Sequence, residues 1–135
     1  MLRITHPDAR VVRFRVTMRT ISRSPKFDQM AFLRLRPPAG SEATWSTEIG
    51  MSPQLPKLSY AYYFADDSGQ DYRSCDPLTA TVLRHRQSVA LAVPYRCLPG
   101  DAARITLRTL TGRFRSDAPV ASQDFLRVPG THELR

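Results

Sequence analysis

Val11-Val12-Arg13-Phe14-Arg15-Val16-Thr17-Met18-Arg19-Thr20 decides the fold. Val12, Phe14, Val16 and Met18 occupy one phase of a two-residue alternation; Arg13, Arg15, Thr17 and Arg19 occupy the other. A helix would scatter these arginines around its circumference, whereas a strand sets them all on one face, opposite the apolar residues. The stretch therefore reads as a β-strand with one buried side.

The same alternation recurs in both directions from there. After a polar turn over 21–29 that contains Ser24-Pro25, a second strand covers about 30–36, with Leu33 and Leu35 in and Arg34 and Arg36 out. Pro37-Pro38-Ala39-Gly40 ends it, because proline has no N–H for a ladder. Residues 43–49 alternate Trp45, Thr47 and Ile49 with Thr44, Ser46 and Glu48. Residues 57–64 place Leu58, Tyr60, Tyr62 and Phe64 on one side, which predicts that these tyrosines pack in the core and that Tyr63 is the exposed one. Asp66-Asp67-Ser68-Gly69 is a turn by composition. Residues 103–110 form a strand with Ile105 and Leu107 in and Arg104, Thr106 and Arg108 out, broken at Gly112. A short last strand near 124–128 would bury Phe125 and Val128.

Residues 78–83 and 88–93, joined by Arg84-His85-Arg86-Gln87, read as a hairpin. Pairing Val82 with Val89, Ala80 with Leu91 and Leu78 with Val93 keeps one antiparallel register and puts all six apolar residues on one face. Cys75 and Cys97 then stand one residue off that register, so the hairpin itself brings them near each other. A bridge between them closes a loop of about 22 residues, worth roughly 3 kcal/mol by chain entropy, and implies an oxidising compartment. The alternative is a pair of buried reduced thiols in a cytosolic protein.

Seven or eight short antiparallel strands in 135 residues specify an all-β chain. The architecture they imply is a β-sandwich, Ig-like or similar to a carbohydrate-binding module, with a small barrel as the alternative. The length fits one domain over 1–135. Eleven prolines argue against a helical bundle, and no apolar run is long enough for a transmembrane helix. The N-terminus, Met1 to Pro7, has no apolar signal-peptide core. An exported protein beginning this way would be a mature form with an added start methionine.

Twenty Lys+Arg stand against twelve Asp+Glu, a net charge of +8, and all but Lys26 and Lys57 of the basic residues are arginine. Arginine's planar fork suits phosphate and carboxylate groups; a GC-rich genome produces the same bias without any ligand. Arg13, Arg15 and Arg19 share one outward phase, Arg34 and Arg36 another, Arg104 and Arg108 a third. If these strands share a sheet, one face carries a basic stripe able to hold nucleic acid, an acidic cell-wall polymer or an anionic membrane. The plain alternative is a solvated face held by cross-strand pairs with Asp and Glu.

Catalytic and metal signals are lacking. There is no nucleophile elbow, phosphate loop or zinc helix; His6, His85 and His132 are far apart in sequence, and two cysteines do not make a zinc site. Asp66, Asp67 and Asp71 resemble half of a calcium loop without its alternating ligands or closing Glu. Trp45, Tyr60, Tyr62, Tyr63 and Tyr72 could form an aromatic platform for sugars, with core packing as the competing use.

Cys75 and Val93-Pro94-Tyr95-Arg96-Cys97-Leu98 resemble a pattern of uncharacterised exported domains of high-GC actinobacteria: a Cys, a hairpin, then Val-Pro-Arg-x-Cys-Leu. Their opening is similar to the Arg/Val strand at Val11–Thr17. This chain has Tyr95 where the pattern has Arg, carries its arginine at position 96, and lacks a Gly-rich middle. The resemblance implies a secreted or lipid-anchored β-sandwich with a Cys75–Cys97 disulfide, and no activity. The expected function is thus a non-enzymatic exported module, without cofactor, binding an anionic surface polymer or a partner protein through these arginines and Tyr63. A carbohydrate-binding module and a cytosolic nucleic-acid binder are the alternatives; a small enzyme using Asp66, Asp67, Asp71 and His85 is a more distant one.

Overall fold

In the computed structural model, residues 1–23, 27–66, 72–75, 78–113 and 122–135 are described. They form two antiparallel sheets, facing one another across a single core. The smaller sheet has the order β1 (Leu2–Asp8), β2 (Val11–Thr17), β8 (Ser88–Pro94), β7 (Ala80–Leu83). The larger has the order β10 (Ser122–Glu133), β9 (Ala102–Arg113), β3 (Phe27–Arg36), β4 (Ser46–Met51), β5 (Tyr60–Phe64), β6 (Tyr72–Ser74). Neither sheet closes on itself, so the barrel alternative falls and the all-β sandwich stands. Among the described residues the helical structure is three 3-10 turns, at Pro56–Leu58, Arg84–Arg86 and Tyr95–Cys97, and no helix is long and apolar enough to cross a membrane.

Alternation does the folding. Val12, Phe14 and Val16 of β2 are fully buried, as are Val89, Leu91 and Val93 of β8 opposite them. Leu33 and Leu35 of β3 and Ile49 of β4, with Ile105 and Leu107 of β9, supply the facing layer. Burying a side chain of this size is worth about 1.5–3 kcal/mol, so the paired inner faces are the main source of stability.

The β7–β8 hairpin has the expected register: Ala80 opposes Leu91 and Val82 opposes Val89. Gln87 closes its turn in the left-handed region, at φ 48°. The outermost expected pair, Leu78 with Val93, is replaced. Leu78 donates its N–H to Ser59 at 2.8 Å and Cys75 donates its own to Ala61 at 2.8 Å, both on the larger sheet's side. The chain is still crossing between sheets at Leu78. The sulfurs of Cys75 and Cys97 lie at disulfide distance, with Cα atoms 5.8 Å apart. The bridge therefore joins the edge of the larger sheet to the end of β8, a stronger constraint than a staple within one hairpin.

Several expectations fail for identifiable reasons. The described strands number ten: β6 is only three residues long, and the alternation of β1 stops after Thr5, where its pairing with β2 shifts. Gly112 does not break β9; its backbone pairs with Asp28, and pairing needs no side chain. Phe125 is 63% exposed instead of buried, because β10 is an edge strand and Phe125 lies on its outer phase, opposite Arg108. Val128 does pack against the core, half-buried. In 57–64 the phase is reversed: Leu58 is 68% exposed in the 3-10 turn begun by Pro56, while the small residues Ser59 and Ala61 point inward. Tyr60 and Tyr62 thus stand outside. Tyr60 lies across Gly50, where an added Cβ would fall 2.4 Å from its ring. Of the Asp66–Gly69 turn, Asp67, Ser68 and Gly69 lie outside the described residues, as do Asp71, Ser24 and Pro25 of the readings above.

Candidate functional site

The outer face of the larger sheet is built row by row, because opposed residues in a sheet share a face. One register row runs Phe125, Arg108, Phe32, Gly50, Tyr60 across β10, β9, β3, β4 and β5. The next runs Arg127, Thr106, Arg34, Glu48, Tyr62. In the third, Arg36 directly opposes Arg104. Five arginines therefore crowd onto three neighbouring strands, two strand spacings or about 10 Å wide. Glu48 is the one acidic side chain in these rows among the described residues.

Local contacts fix the geometry. The Arg34 Nη2 donates to Glu48 Oε2 at 2.8 Å, and the Tyr60 hydroxyl donates to Glu48 Oε1 at 3.1 Å. Burial, then the neighbouring Glu48 carboxylate, push the Tyr60 phenol well above its ordinary range, so it stays a donor. Tyr62 stacks on Tyr60 with ring centroids 4.5 Å apart. The Arg108 guanidinium sits 4.9 Å from the Phe32 ring centroid, a cation–π contact that holds it over the face. Arg104 Nε donates to the Pro37 carbonyl at 2.8 Å. Between these groups lies a shallow depression of about 350 Å³, walled by Arg34, Arg36, Glu48, Arg108, Phe125 and Arg127.

The sequence-predicted arginines do not form one stripe. Arg34, Arg36, Arg104 and Arg108 come together, joined by Arg127, which the sequence hides because 124–128 reads as a short strand burying Phe125 and Val128. Arg13 and Arg15 lie on β2, in the other sheet, and face away from the core on the opposite side of the sandwich. There Arg15 opposes Arg3 and Arg13 opposes Thr5. Arg3 was also missed, although Leu2 and Ile4 alternating with Arg3 and Thr5 carry the same signal as β2. Arg19 lies beyond the end of β2 and lines a third feature, an open cleft of about 730 Å³ shared with Thr17, Gln29, Thr109 and Asp124. Tyr63 stands half-buried on the inner phase of β5, beside the Cys75–Cys97 bridge.

The remaining candidates stay apart. His6 Nδ1 is 3.2 Å from the Tyr95 hydroxyl, a contact between β1 and the turn after β8, and His132 Nε2 is 3.0 Å from the Pro129 carbonyl three residues back. His85 is exposed in the turn between β7 and β8, while Asp66 follows β5 of the other sheet. Among the described residues no group of His, Cys, Asp or Glu could hold a metal ion. Trp45 packs partly buried against the core, with its indole next to Gly100, and the side chain of Tyr72 lies outside the described residues. No protein-family model, curated protein or solved structure matches the chain.

Proposed function

We propose that this protein is a non-enzymatic, exported binding module that holds an anionic polymer on the outer face of the six-stranded sheet. The observation that carries the reading is the gathering of Arg34, Arg36, Arg104, Arg108 and Arg127 on β3, β9 and β10 with Glu48 as the counter-charge of Arg34 alone. Guanidinium groups donate and never accept. Such a face suits a ligand that presents acceptors, namely carboxylates, sulfates or phosphates, and suits a neutral sugar poorly, since hydroxyl donors find few acceptors there. Export is supported by the Cys75–Cys97 pair and by the resemblance of the Cys hairpin to exported actinobacterial domains. An acidic partner protein offers the same carboxylates and belongs to the same reading.

A single-stranded nucleic acid is the second reading, favoured by the row Phe125, Arg108, Phe32, Tyr60. Phe125 is exposed, with half-buried Phe32 and Tyr60 in the same row, and aromatic rings set among arginines provide stacking surfaces for bases.

Binding to heparin and to a single-stranded oligonucleotide, measured over a salt series, tests both. Affinity should fall steeply as salt rises. For the oligonucleotide, Arg36→Gln/Arg108→Gln/Arg127→Gln should reduce the slope of log K against log salt by about 2, at about 0.7 per lost phosphate contact. A response flat in salt overturns the anionic-polymer reading. Loss of oligonucleotide binding in Phe125→Ala, with heparin binding kept, selects nucleic acid.

A further inference from the structure

We propose that the outer face of the smaller sheet is a second, separate anion-binding site, so that one molecule bridges two anionic chains. The inference rests on the reading just given and deepens it. Val12, Phe14 and Val16 are fully buried, so Arg13 and Arg15 of the same strand must leave the sandwich on the far side from Arg34 and Arg108. The two sheets pack about 10 Å apart, with a side-chain layer outside each. No single extended chain segment lies flat on both faces at once.

The smaller face repeats the device of the larger one. Arg36 directly opposes Arg104 on the larger sheet, and Arg3 directly opposes Arg15 on the smaller. Like charges directly opposite repel, and one carboxylate, sulfate or phosphate seated between two such forks turns the repulsion into two charge-assisted contacts. Arg13 stands on the same phase of β2, and Arg86 reaches the face from the β7–β8 turn. With Thr5 and His6 they line a depression of about 360 Å³. Across β8 the face is flat, because Ala92 opposes Arg13 and Ala90 opposes Arg15. Among the described residues no acidic side chain pairs with Arg3, Arg13, Arg15 or Arg86, and the Arg15 Nε is buried without a hydrogen-bond partner. Among the described residues the strands of the smaller face present no aromatic row like Phe125, Phe32 and Tyr60, so this face recognises charge.

Short heparin oligosaccharides measure stoichiometry, and long heparin chains measure clustering by light scattering. Three variants carry the same net charge of +5, down from +8. Arg3→Gln/Arg13→Gln/Arg15→Gln alters the smaller face, and Arg36→Gln/Arg108→Gln/Arg127→Gln alters the larger. Arg23→Gln/Arg73→Gln/Arg96→Gln removes exposed arginines off both faces. The wild type should bind two oligosaccharides and cluster long chains. Each face variant should bind one and lose clustering, while the third variant keeps both properties. One oligosaccharide per wild-type molecule, or equal loss of clustering in all three variants, overturns the bridging inference and leaves the single-face reading standing. No binding by the wild type overturns both.

Discussion

Breaking the Cys75–Cys97 bridge should lower the melting temperature substantially, and the size of the drop follows from the structure. The bridged residues are 22 positions apart. Loop-closure entropy for that length comes to about 3.4 kcal/mol at 25 °C, and a domain of this size shifts by about 3–5 °C per kcal/mol. A drop of roughly 10–15 °C results. Cys97 is buried, so the double variant should be Cys75→Ala/Cys97→Ala; serine would add a buried hydroxyl without a partner. The loss should also be local at first. Cys75 donates its N–H to Ala61 of β5, at the edge of the larger sheet, whereas Phe14 and Leu91 sit in the central pair β2–β8. Calorimetry with and without reductant gives the first number, and amide exchange gives the location: the Cys75 amide should lose protection well before those of Phe14 and Leu91. A melting temperature indifferent to reductant, or two thiols that react freely in the unreduced, denatured protein, would refute the reasoning and remove the physical basis for export.

Two further outcomes are specific to the larger face. Gly50→Ala places a methyl group within 2.4 Å of the Tyr60 ring, so the ring must swing away from Glu48 and Tyr62; a cost of about 1–3 kcal/mol is expected from lost stacking and hydrogen bonding, read from the denaturant midpoint, and an unchanged midpoint would count against the described stack. Tyr60 has its pKa raised in the folded state, chiefly by burial and then by Glu48. Its contribution to stability is therefore complete below the unfolded-state value of about 10 and is lost as pH rises beyond it; Tyr60→Phe should flatten the alkaline arm of a stability–pH curve, and a curve identical to wild type would show that the phenol does not titrate late.

What the sequence made legible was the set of strands whose inner phase is strongly apolar. Val12, Phe14 and Val16, then Leu33 and Leu35, then the β7–β8 hairpin, announce both their structure and their buried face, because one residue type fills each phase. Where the inner phase is made of small residues, hydropathy points the wrong way. Ser59 and Ala61 carry less apolar surface than Tyr60, Tyr62 and Phe64, yet they face the core, since the tyrosines have room only across Gly50 and beside Glu48. Edge strands hid for a different reason. β10 has core on one side of part of its length only, so Phe125 and Leu126 remain exposed and no clean alternation marks its twelve residues. The grouping of arginines into two faces was beyond sequence reading altogether. Outward phases are legible within each strand, but strand order is a tertiary fact, and it alone sends Arg13 and Arg15 away from Arg34 and Arg108.

Codon bias alone does not explain these faces. A genome rich in GC raises the number of arginines, and arginines off the faces, such as Arg23, Arg73 and Arg96, fit that cause. It does not decide where the acids go. Asp8 ends β1 and accepts the Arg10 amide; Asp101 pairs with Arg135 at 3.1 Å; Asp28 turns toward Ser52; Asp124 lines the end cleft. In the central rows of the two faces only Glu48 remains among the described residues, and it is already held by Arg34 and Tyr60. Opposed arginines at Arg36–Arg104 and Arg3–Arg15 each destabilise their ladder by a few tenths of a kcal/mol or more, because directly opposed residues stand one strand spacing apart, inside the screening length of about 8 Å. Threonine stands on the same outward phases at Thr5, Thr81 and Thr106, so the strands accept a neutral residue there. At these two opposed pairs the like charges therefore cost the fold, although Arg34, Arg104 and Arg108 each keep a contact of their own with Glu48, the Pro37 carbonyl and the Phe32 ring. On the proposed reading, an anion between the forks would offset that repulsion, and its binding would raise the melting temperature in step with the logarithm of its concentration over its dissociation constant; a melting temperature unmoved by added heparin would count against it.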